Sequence, residues 1–409
     1  MTDSLAHDSG TELRASAIDE LVGQGWLTSE RVAAVMRAVP RHRFAPEAPL
    51  SEAYHPYNAV VTKRDEDGIA VSSVSAPQIQ AMMLEQAGVE EGMRVLEVGS
   101  GGLNAAYLAE LVGASGEVTT VDIDPDVTRR AEKLLAENGY GRVRVVLADA
   151  ERGVSQHAPY DRILVTVGAW DIPPAWIEQL TPTGRLVVPL RVQGLTRSIA
   201  FDRTGGHLES TSTRVCGFVS MRGAGEHQDQ LLIVDGTDAA VRLRFDEGLP
   251  DQPELLDNAL RTPRAEAWSG VTIPRGTAEN TFQLYLATAL DGFCTLSVDP
   301  DRDTGPVAPR NKRFSMATVQ GPDFAYITPR LTPDEQAFEY GVHAFGPGAD
   351  LLAEAVVRHL RDWDRDQRGG PGPRFTVHPA GTPVPEHAGA PHRTVDKIHS
   401  RVTISWPRP

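Results

Sequence analysis

Residues 11–39 carry apolar positions at helical spacing in two groups. Leu21, Val22 and Trp26 precede a break at Leu27-Thr28, and Val32, Val35, Met36 and Val39 resume the period until Pro40 ends it. From Phe44 to Gly68 the periodicity is lost among prolines and the charge cluster Lys63-Arg64-Asp65-Glu66-Asp67. An irregular excursion is expected there, and its length favours a functional loop over a plain connector. From residue 78 the pattern becomes regular. Gln78–Ala87, Ala105–Val112, Arg129–Glu137 and Trp176–Leu180 read as helices, and Arg94–Val98, Val118–Asp122, Val143–Leu147, Arg162–Val165 and Arg185–Pro189 as strands. This alternation predicts a parallel sheet covered on both faces. Ser198–Asp202 and Arg214–Val219 follow without a helix between them and predict an antiparallel pair at one edge.

The segment Arg222-Gly223-Ala224-Gly225-Glu226-His227-Gln228 reads as a boundary. Beyond it, strands are expected at Leu231–Val234 and Val241–Phe245, and helices at Glu254–Ala259, Phe282–Ala289 and Asp350–Trp363. A glycine- and proline-rich loop from Arg368 to Pro383 then leads to an alternating stretch through Val395, Ile398, Val402 and Ile404, read as a docked terminal strand. Trp268, Phe282, Tyr285 and Phe293 are expected in a core. The predicted division is 1–77 for the opening helices and loop, 78–222 for an α/β core, and 223–409 for an accessory domain of α/β or α+β type.

The chain has 409 residues, more than the roughly 250–300 at which one core stops growing, which fits two domains. Its net charge of −15 opposes binding to a phosphate backbone. Cys216 and Cys294 are too few for a disulfide framework and read as buried thiols of a reducing cytoplasm. The first residues lack a basic start and an apolar run, and no stretch approaches about 18 apolar residues, so neither export nor membrane spanning is expected. His343, His359, His378, His392 and His399 show no ligand spacing, and no metal is expected.

Candidate chemistry concentrates at the strand ends. Val95-Leu96-Glu97-Val98-Gly99-Ser100-Gly101-Gly102 joins a buried strand to a helix through a glycine-rich turn, where backbone N–H groups lie open to a ligand. Asp122, ending the next strand, is placed to accept hydrogen bonds from ribose hydroxyls, with Asp124 as a competitor. Asp149, in Leu147-Ala148-Asp149-Ala150, is placed to accept from an adenine amine. No Lys-Ser/Thr pair follows the turn, which excludes a P-loop. Counting GxGxxG from Gly99 puts Asn104 where a dinucleotide fingerprint needs its third glycine, which favours S-adenosylmethionine over a nicotinamide cofactor.

These pieces, together with Val39-Pro40-Arg41-His42-Arg43-Phe44, Tyr54, Ser73-Val74-Ser75-Ala76-Pro77, Tyr160-Asp161-Arg162-Ile163-Leu164-Val165-Thr166 and the segment 174–190, resemble the protein-L-isoaspartate O-methyltransferase family over about residues 15–222. The resemblance implies a Rossmann-like fold. It also implies S-adenosylmethionine as cofactor, held by Glu97, Gly99, Ser100, Gly101, Gly102, Asp122, Asp149 and Ala150. Ser75 is implied as the catalytic residue that orients the acceptor carboxylate, or else as a helix cap, with Tyr54 and Trp170 as further substrate contacts. His42 is as readily a packing residue, and Arg41 and Arg43 read as solvated. Two departures stand out: the glycine turn lacks the longer GxGxG form, and Asp65–Ala70 replaces the family's glycine- and histidine-bearing loop.

The region from 223 resembles the extension of actinobacterial enzymes associated with lanthipeptides, including the FxLD-system methyltransferases. That implies O-methylation of an Asp carboxylate in a ribosomally made, cyclised precursor peptide, followed by aspartimide formation and, after hydrolysis, isoaspartate. The implied partner is that peptide, with neither nucleic acid nor membrane, in the cytoplasm. The alternatives are general repair of isoaspartyl proteins, a small-molecule methyltransferase, and a peptide-binding module without activity.

Overall fold

The computed structural model describes residues 2–234, 240–277, 280–384 and 391–407. Helix α1 (Thr2–Gly23) and helix α2 (Glu30–Ala38) open the chain, and the Ser29 side chain caps α2 by accepting the Val32 N–H at 3.3 Å. The excursion expected to be irregular is more ordered than its sequence indicates. It holds a short helix α3 (Leu50–Ala53) and an antiparallel hairpin of β1 (Val60–Arg64) and β2 (Ala70–Val74). The cluster's cations end β1 and its acids form the hairpin's turn: the Asp65 carboxylate accepts the N–H groups of Asp67 and Ile69 at 3.1 and 2.8 Å.

A regular alternation follows: α4 (Pro77–Ala87), β3 (Arg94–Val98), α5 (Leu103–Val112), β4 (Glu117–Asp122), α6 (Pro125–Glu137), β5 (Arg144–Leu147), β6 (Tyr160–Val165), α7 (Pro174–Glu178), β7 (Leu180–Val192), β8 (Leu195–Thr204) and β9 (His207–Val215). Strands β3 to β7 are parallel in the order β7-β6-β3-β4-β5, and β7, β8 and β9 close the row antiparallel. Strand β3 has β4 on one side and β6 on the other, so the order reverses there and a crevice opens at the carboxyl ends. The last strand lies earlier than the expected 214–219. Gly205 (φ +61°) and Gly206 make the tight turn that pairs Thr204 with His207 and pulls β9 forward.

The second sheet contains β10 (Gln230–Ile233), β11 (Val241–Phe245), β12 (Ala265–Pro274), β13 (Phe293–Val298), β14 (Ser315–Gln320), β15 (Asp323–Leu331) and β16 (Ala337–Phe345) in the order β10-β11-β13-β14-β15-β16-β12, antiparallel throughout. With α8 (Asn280–Ala289) and α9 (Ala349–Asp366) it forms an α+β unit. The helix expected at Glu254–Ala259 is instead two 3-10 turns, Pro253–Leu256 and Ala259–Arg261. Phe282, Tyr285 and Phe293 are buried as expected, whereas the half-exposed Trp268 carries the Arg330 guanidinium 3.8 Å above its ring.

The expected division at 223 needs correction. Strands β17 (Arg374–Pro379), β18 (His392–Asp396) and β19 (Ser400–Ser405) return to the first sheet, which runs β18-β19-β17-β9-β8-β7-β6-β3-β4-β5. The terminal segment is thus a strand plus a hairpin, and Ile398 is exposed in its turn rather than alternating into a core. The physical reason is the open edge of β9, which β17 covers. One apolar cluster joins Trp176 of α7 and Ile199 and Ile404 of the first sheet to Phe282 of α8 and Trp363 of α9. Among the described residues, no helix is long and apolar enough to cross a membrane. A fragment ending at residue 222 exposes the β9 edge and its own members of that apolar cluster, so it is expected to associate on size exclusion. A monomeric fragment with a cooperative thermal transition would contradict this assignment.

Candidate active site

The glycine turn sits where the strand order reverses. Gly99 has φ +99°, and a Cβ there would lie 2.5 Å from Thr166 Oγ1 at the end of β6, a clash that restricts the position to glycine. Thr166 uses that hydroxyl to bond Val98 O at 2.9 Å, tying the two strand ends together. Gly102 (φ +84°) caps α5 and packs against Phe44 and Ala131, so its part is to seat the turn and not to line the crevice. Phe44, from the Pro-Arg-His-Arg-Phe motif, is fully buried in that contact. The β1–β2 hairpin lies over the turn, with Ser73 O 3.7 Å from the position of a Cβ on Gly101.

Two neighbouring cavities result. The first is walled by Ser75, Glu97, Gly99, Ser100, Gly101, Asn104, Asp122 and residues 71–74, and is closed by Phe218 and Val219. The second shares Gly99 and Asp122, has an apolar wall that includes Ile123, Ala150 and Met221, and is also lined by Ser220 and Arg222. Glu97 is fully buried; its Oε2 accepts from Thr120 at 2.7 Å, and Thr120 in turn meets the Ser100 hydroxyl at 2.7 Å. Glu97 Oε1 and Asn104 Nδ2 are buried without a properly aligned hydrogen-bond partner. Burial pushes the Glu97 carboxyl up to about 7, although Thr120 and the nearby Asn104 amide partly offset the rise. A buried acceptor and a buried donor left open on one wall fit a polar or cationic ligand there.

The acids after β4 divide the work. Asp122 accepts from Ser100 N–H at 3.0 Å and Asp124 N–H at 2.9 Å, which braces the turn and still leaves lone pairs facing both cavities. Asp124 is spoken for: it caps α6 and accepts from Lys63 at 2.7 Å and Arg222 at 3.0 Å. Burial opposes its ionisation, but those hydrogen bonds hold its carboxyl well below the usual range. Lys63 thereby latches the hairpin to α6, and Arg222 does the same for the chain after β9. Asp149 is the remaining acid expected at the site. Its oxygens accept from Glu151 N–H at 3.0 Å and Ala224 N–H at 2.9 Å, and it lines neither cavity, whereas its neighbour Ala150 does.

On the acceptor side, Ser75 is half-exposed on the first cavity wall, and the helix it precedes has no side-chain cap. Its hydroxyl is therefore not committed to capping. Arg41 was expected at the solvated surface but is fully buried, and burial pushes its guanidinium down to about 10. It donates to Ala53 O at 2.5 Å, Gln80 Oε1 at 2.6 Å and Val74 O at 3.3 Å, and so fixes the backbone beside Ser75. Tyr54 does not reach the cavity; it is buried, with its hydroxyl 2.7 Å from His42 Nδ1. Trp170 is also elsewhere. It stacks on His227 at 4.1 Å and lies under the Lys397 ammonium.

Around Trp170, His227, Asp229 and Asp246 bring possible ligand atoms within 4.8 Å of one another. Arg191, however, pairs with both carboxylates at 2.6 Å, which places a cation where a metal would sit. Arg222, Asn104 and Phe218 are the lining residues that sequence reasoning missed, and Lys63 is a missed residue that holds the hairpin in place beside them. Only the charge cluster around Lys63 and the failed third glycine at Asn104 gave any signal.

A family model described as Protein-L-isoaspartate(D-aspartate) O-methyltransferase (PCMT) matches residues 13–226. Protein-L-isoaspartate O-methyltransferase 2 of Archaeoglobus fulgidus is 38% identical over 196 residues, covering 48% of this chain and 86% of that protein. The Methanopyrus kandleri protein-L-isoaspartate O-methyltransferase is 36% identical over 219 residues, covering 53% and 94%. A solved protein-L-isoaspartate O-methyltransferase gives a TM-score of 0.49 at 21% identity, over 86% of this chain and 92% of that one.

The raised Glu97 fixes a pH dependence. The folded chain keeps a proton that the unfolded chain releases near 4.5. This stabilisation is complete below that value and is lost as pH rises through about 7. Thermal melting without ligand is expected to fall over that window, and Glu97→Gln to flatten the fall. An unchanged slope in the variant would remove the assignment.

Proposed function

Because the chain belongs to the protein-L-isoaspartate O-methyltransferase family, we propose that it esterifies the free carboxylate of isoaspartyl or aspartyl residues in polypeptides. It is a methyltransferase whose cofactor, S-adenosylmethionine, supplies when bound an electrophilic methyl group on a sulfonium. The observation that carries this reading is a single cavity wall shared by the open polar atoms of Glu97 and Asn104, the glycine turn and the Ser75 hydroxyl.

Gly99, Ser100 and Gly101, with Glu97 and Asn104, would hold the cofactor's methionine end. Asp122 would hold the ribose, and the apolar wall of Ile123, Ala150 and Met221 the adenine. The Ser75 hydroxyl donates to one oxygen of the acceptor carboxylate and leaves the other aimed for attack. With the cofactor bound, that oxygen would accept its methyl group, giving a methyl ester and leaving the demethylated cofactor, S-adenosylhomocysteine. A carboxylate is already ionised at neutral pH, so no general base is needed and the protein's task is alignment. A neighbouring backbone amide nitrogen then displaces methanol and closes a succinimide.

The family match supports action on isoaspartyl polypeptides in general before the dedicated maturation of one precursor, reversing the order that the sequence favoured. The second reading retains one specific support: the second sheet with α8 and α9 lies outside the matched residues 13–226 yet shares a core with the methyltransferase unit. In that reading this unit selects an encoded, cyclised precursor, whose methylated Asp closes to an aspartimide.

Accurate-mass analysis with S-adenosylmethionine, varied isoaspartyl peptides and a cyclised Asp-containing precursor peptide separates the two. Addition of one methylene mass to the varied peptides is expected. Methyl gain followed by net loss of water on the precursor alone would install the second reading, and no transfer to any polypeptide would sink both. Ser75→Ala is expected to lower transfer roughly 10- to 100-fold through loss of one hydrogen bond to a charged group, with cofactor affinity kept. Asp122→Ala is expected to raise the cofactor Kd about tenfold or more while peptide binding holds; the opposite pattern in calorimetry would overturn the ribose assignment.

A further inference from the structure

A groove of about 690 Å3 opens on the second sheet, well outside the residues that wall the methyltransferase cavities. Its floor is apolar and contributed by several elements: Ile273 of β12, Phe282 of α8, Met316 of β14 and Ile327 of β15, each nearly inaccessible to solvent. Two half-buried aromatic rings, Phe314 and Tyr340, flank it, the latter packed edge-on against Phe282 at 4.9 Å. The rim is a short cationic run in the loop entering β14, with Arg310, Lys312 and Arg313 all exposed. Among the described residues, the groove wall holds no carboxylate.

We propose that this groove binds an acidic polypeptide segment through an apolar anchor residue on the floor and flanking carboxylates on the cationic rim. The inference rests on the reading that the acceptor is a polypeptide and says where such a chain is held away from the reacting carboxylate. Two physical arguments carry it. The first is charge contrast. The protein carries −15 overall, so an acidic segment is repelled by most of the surface and meets attraction where three cations converge, which sets position and register. The second is that the rim cations are oriented but not neutralised. Arg310 stands 4.5 Å over the Phe338 ring and Lys312 Nζ donates to Pro300 O at 3.1 Å, so neither is paired with a carboxylate of this chain among the described residues. An apolar floor bounded by such groups desolvates an aromatic or aliphatic side chain while leaving its acidic neighbours charged and paired at the edge.

Fluorescence anisotropy on the full chain tests this with three labelled peptides, Asp-Glu-Phe-Asp-Glu, Asp-Glu-Ala-Asp-Glu and Lys-Arg-Phe-Lys-Arg, and a single-stranded oligonucleotide. The acidic peptide with Phe is expected to bind at least tenfold more tightly than the other probes, and to weaken as salt rises. The triple variant R310E/K312E/R313E is expected to lose at least tenfold of that affinity while keeping the wild-type circular dichroism spectrum. Should the triple variant fail to fold, K312E alone is expected to lose affinity in proportion and to steepen discrimination against the acidic peptide. Equal binding of the Ala peptide, tighter binding of the oligonucleotide, or affinity unmoved by charge reversal would each overturn the proposal. Methyl transfer by the wild-type chain to short isoaspartyl peptides, assayed separately, distinguishes the failures. Transfer without acidic-peptide binding removes the groove and leaves the activity, and binding without transfer removes the activity and leaves the groove.

Discussion

The reversal of strand order at β3 constrains everything that surrounds it. With β4 on one side and β6 on the other, the loops leaving β3 and β6 diverge, and the chain must turn sharply between them. Thr166 crosses so close to Gly99 that no side chain fits, and the same hydroxyl fastens the end of β3. The turn is therefore rigid before any ligand arrives. Its N–H at Ser100 is held by Asp122, its hydroxyl by Thr120, and Thr120 holds one oxygen of Glu97. A single packed unit thus presents one unpaired buried oxygen to the cavity, the kind of preorganisation that binding of a cationic group repays.

Two separate pieces of chain are drawn over this unit by charge. The hairpin bearing Lys63 and the segment bearing Arg222 converge on Asp124, which is nearly buried at the start of α6. Because the helix N-terminus also favours a negative group, the carboxylate stays ionised and both cations keep their partner. The cavity roof, Phe218 and Val219, is set by the second of these contacts and by the bonds of Gly168 with Val219 and Met221. Distant in sequence, the terminal hairpin braces the same end of the sheet: His399 bonds Glu151 at 2.9 Å and Asp171 receives both Ser400 and the His399 N–H. The second sheet and the methyltransferase unit are in this sense one body of packing, with Trp363 and Trp176 in one apolar cluster.

How far the sequence was readable follows from the range of the interactions involved. The parallel strands, the glycine turn and Asp122 were legible because a buried strand, its turn and the acid ending the next strand are written within a few residues of each other. The hairpin at 60–74 was not. Its turn is full of charge, and only the local Asp65 bonds reveal that the charges close a turn instead of coating a loop. Arg41 misled for a similar reason: an arginine reads as exposed until three acceptors from three segments surround it. Tyr54 and Trp170 lay near motifs in sequence but point to partners, His42 and His227, that proximity along the chain could not identify.

The sequence by itself determined the alternation of elements, the place of the glycine turn and the class of chemistry that a strand-end acid and an open turn support, since these depend on period and local backbone freedom. Tertiary structure decided which acids remain available. Asp124 is consumed by Lys63 and Arg222, Asp122 keeps lone pairs on the cavity walls, and Glu97 is left with one open oxygen. It also decided that the chain's last strands complete the first sheet instead of belonging to a separate domain. The physical reason is the same in each case: a carboxylate's hydrogen bonds and a strand's edge are satisfied by whatever the fold brings alongside, and nothing in the neighbouring residues records what that is.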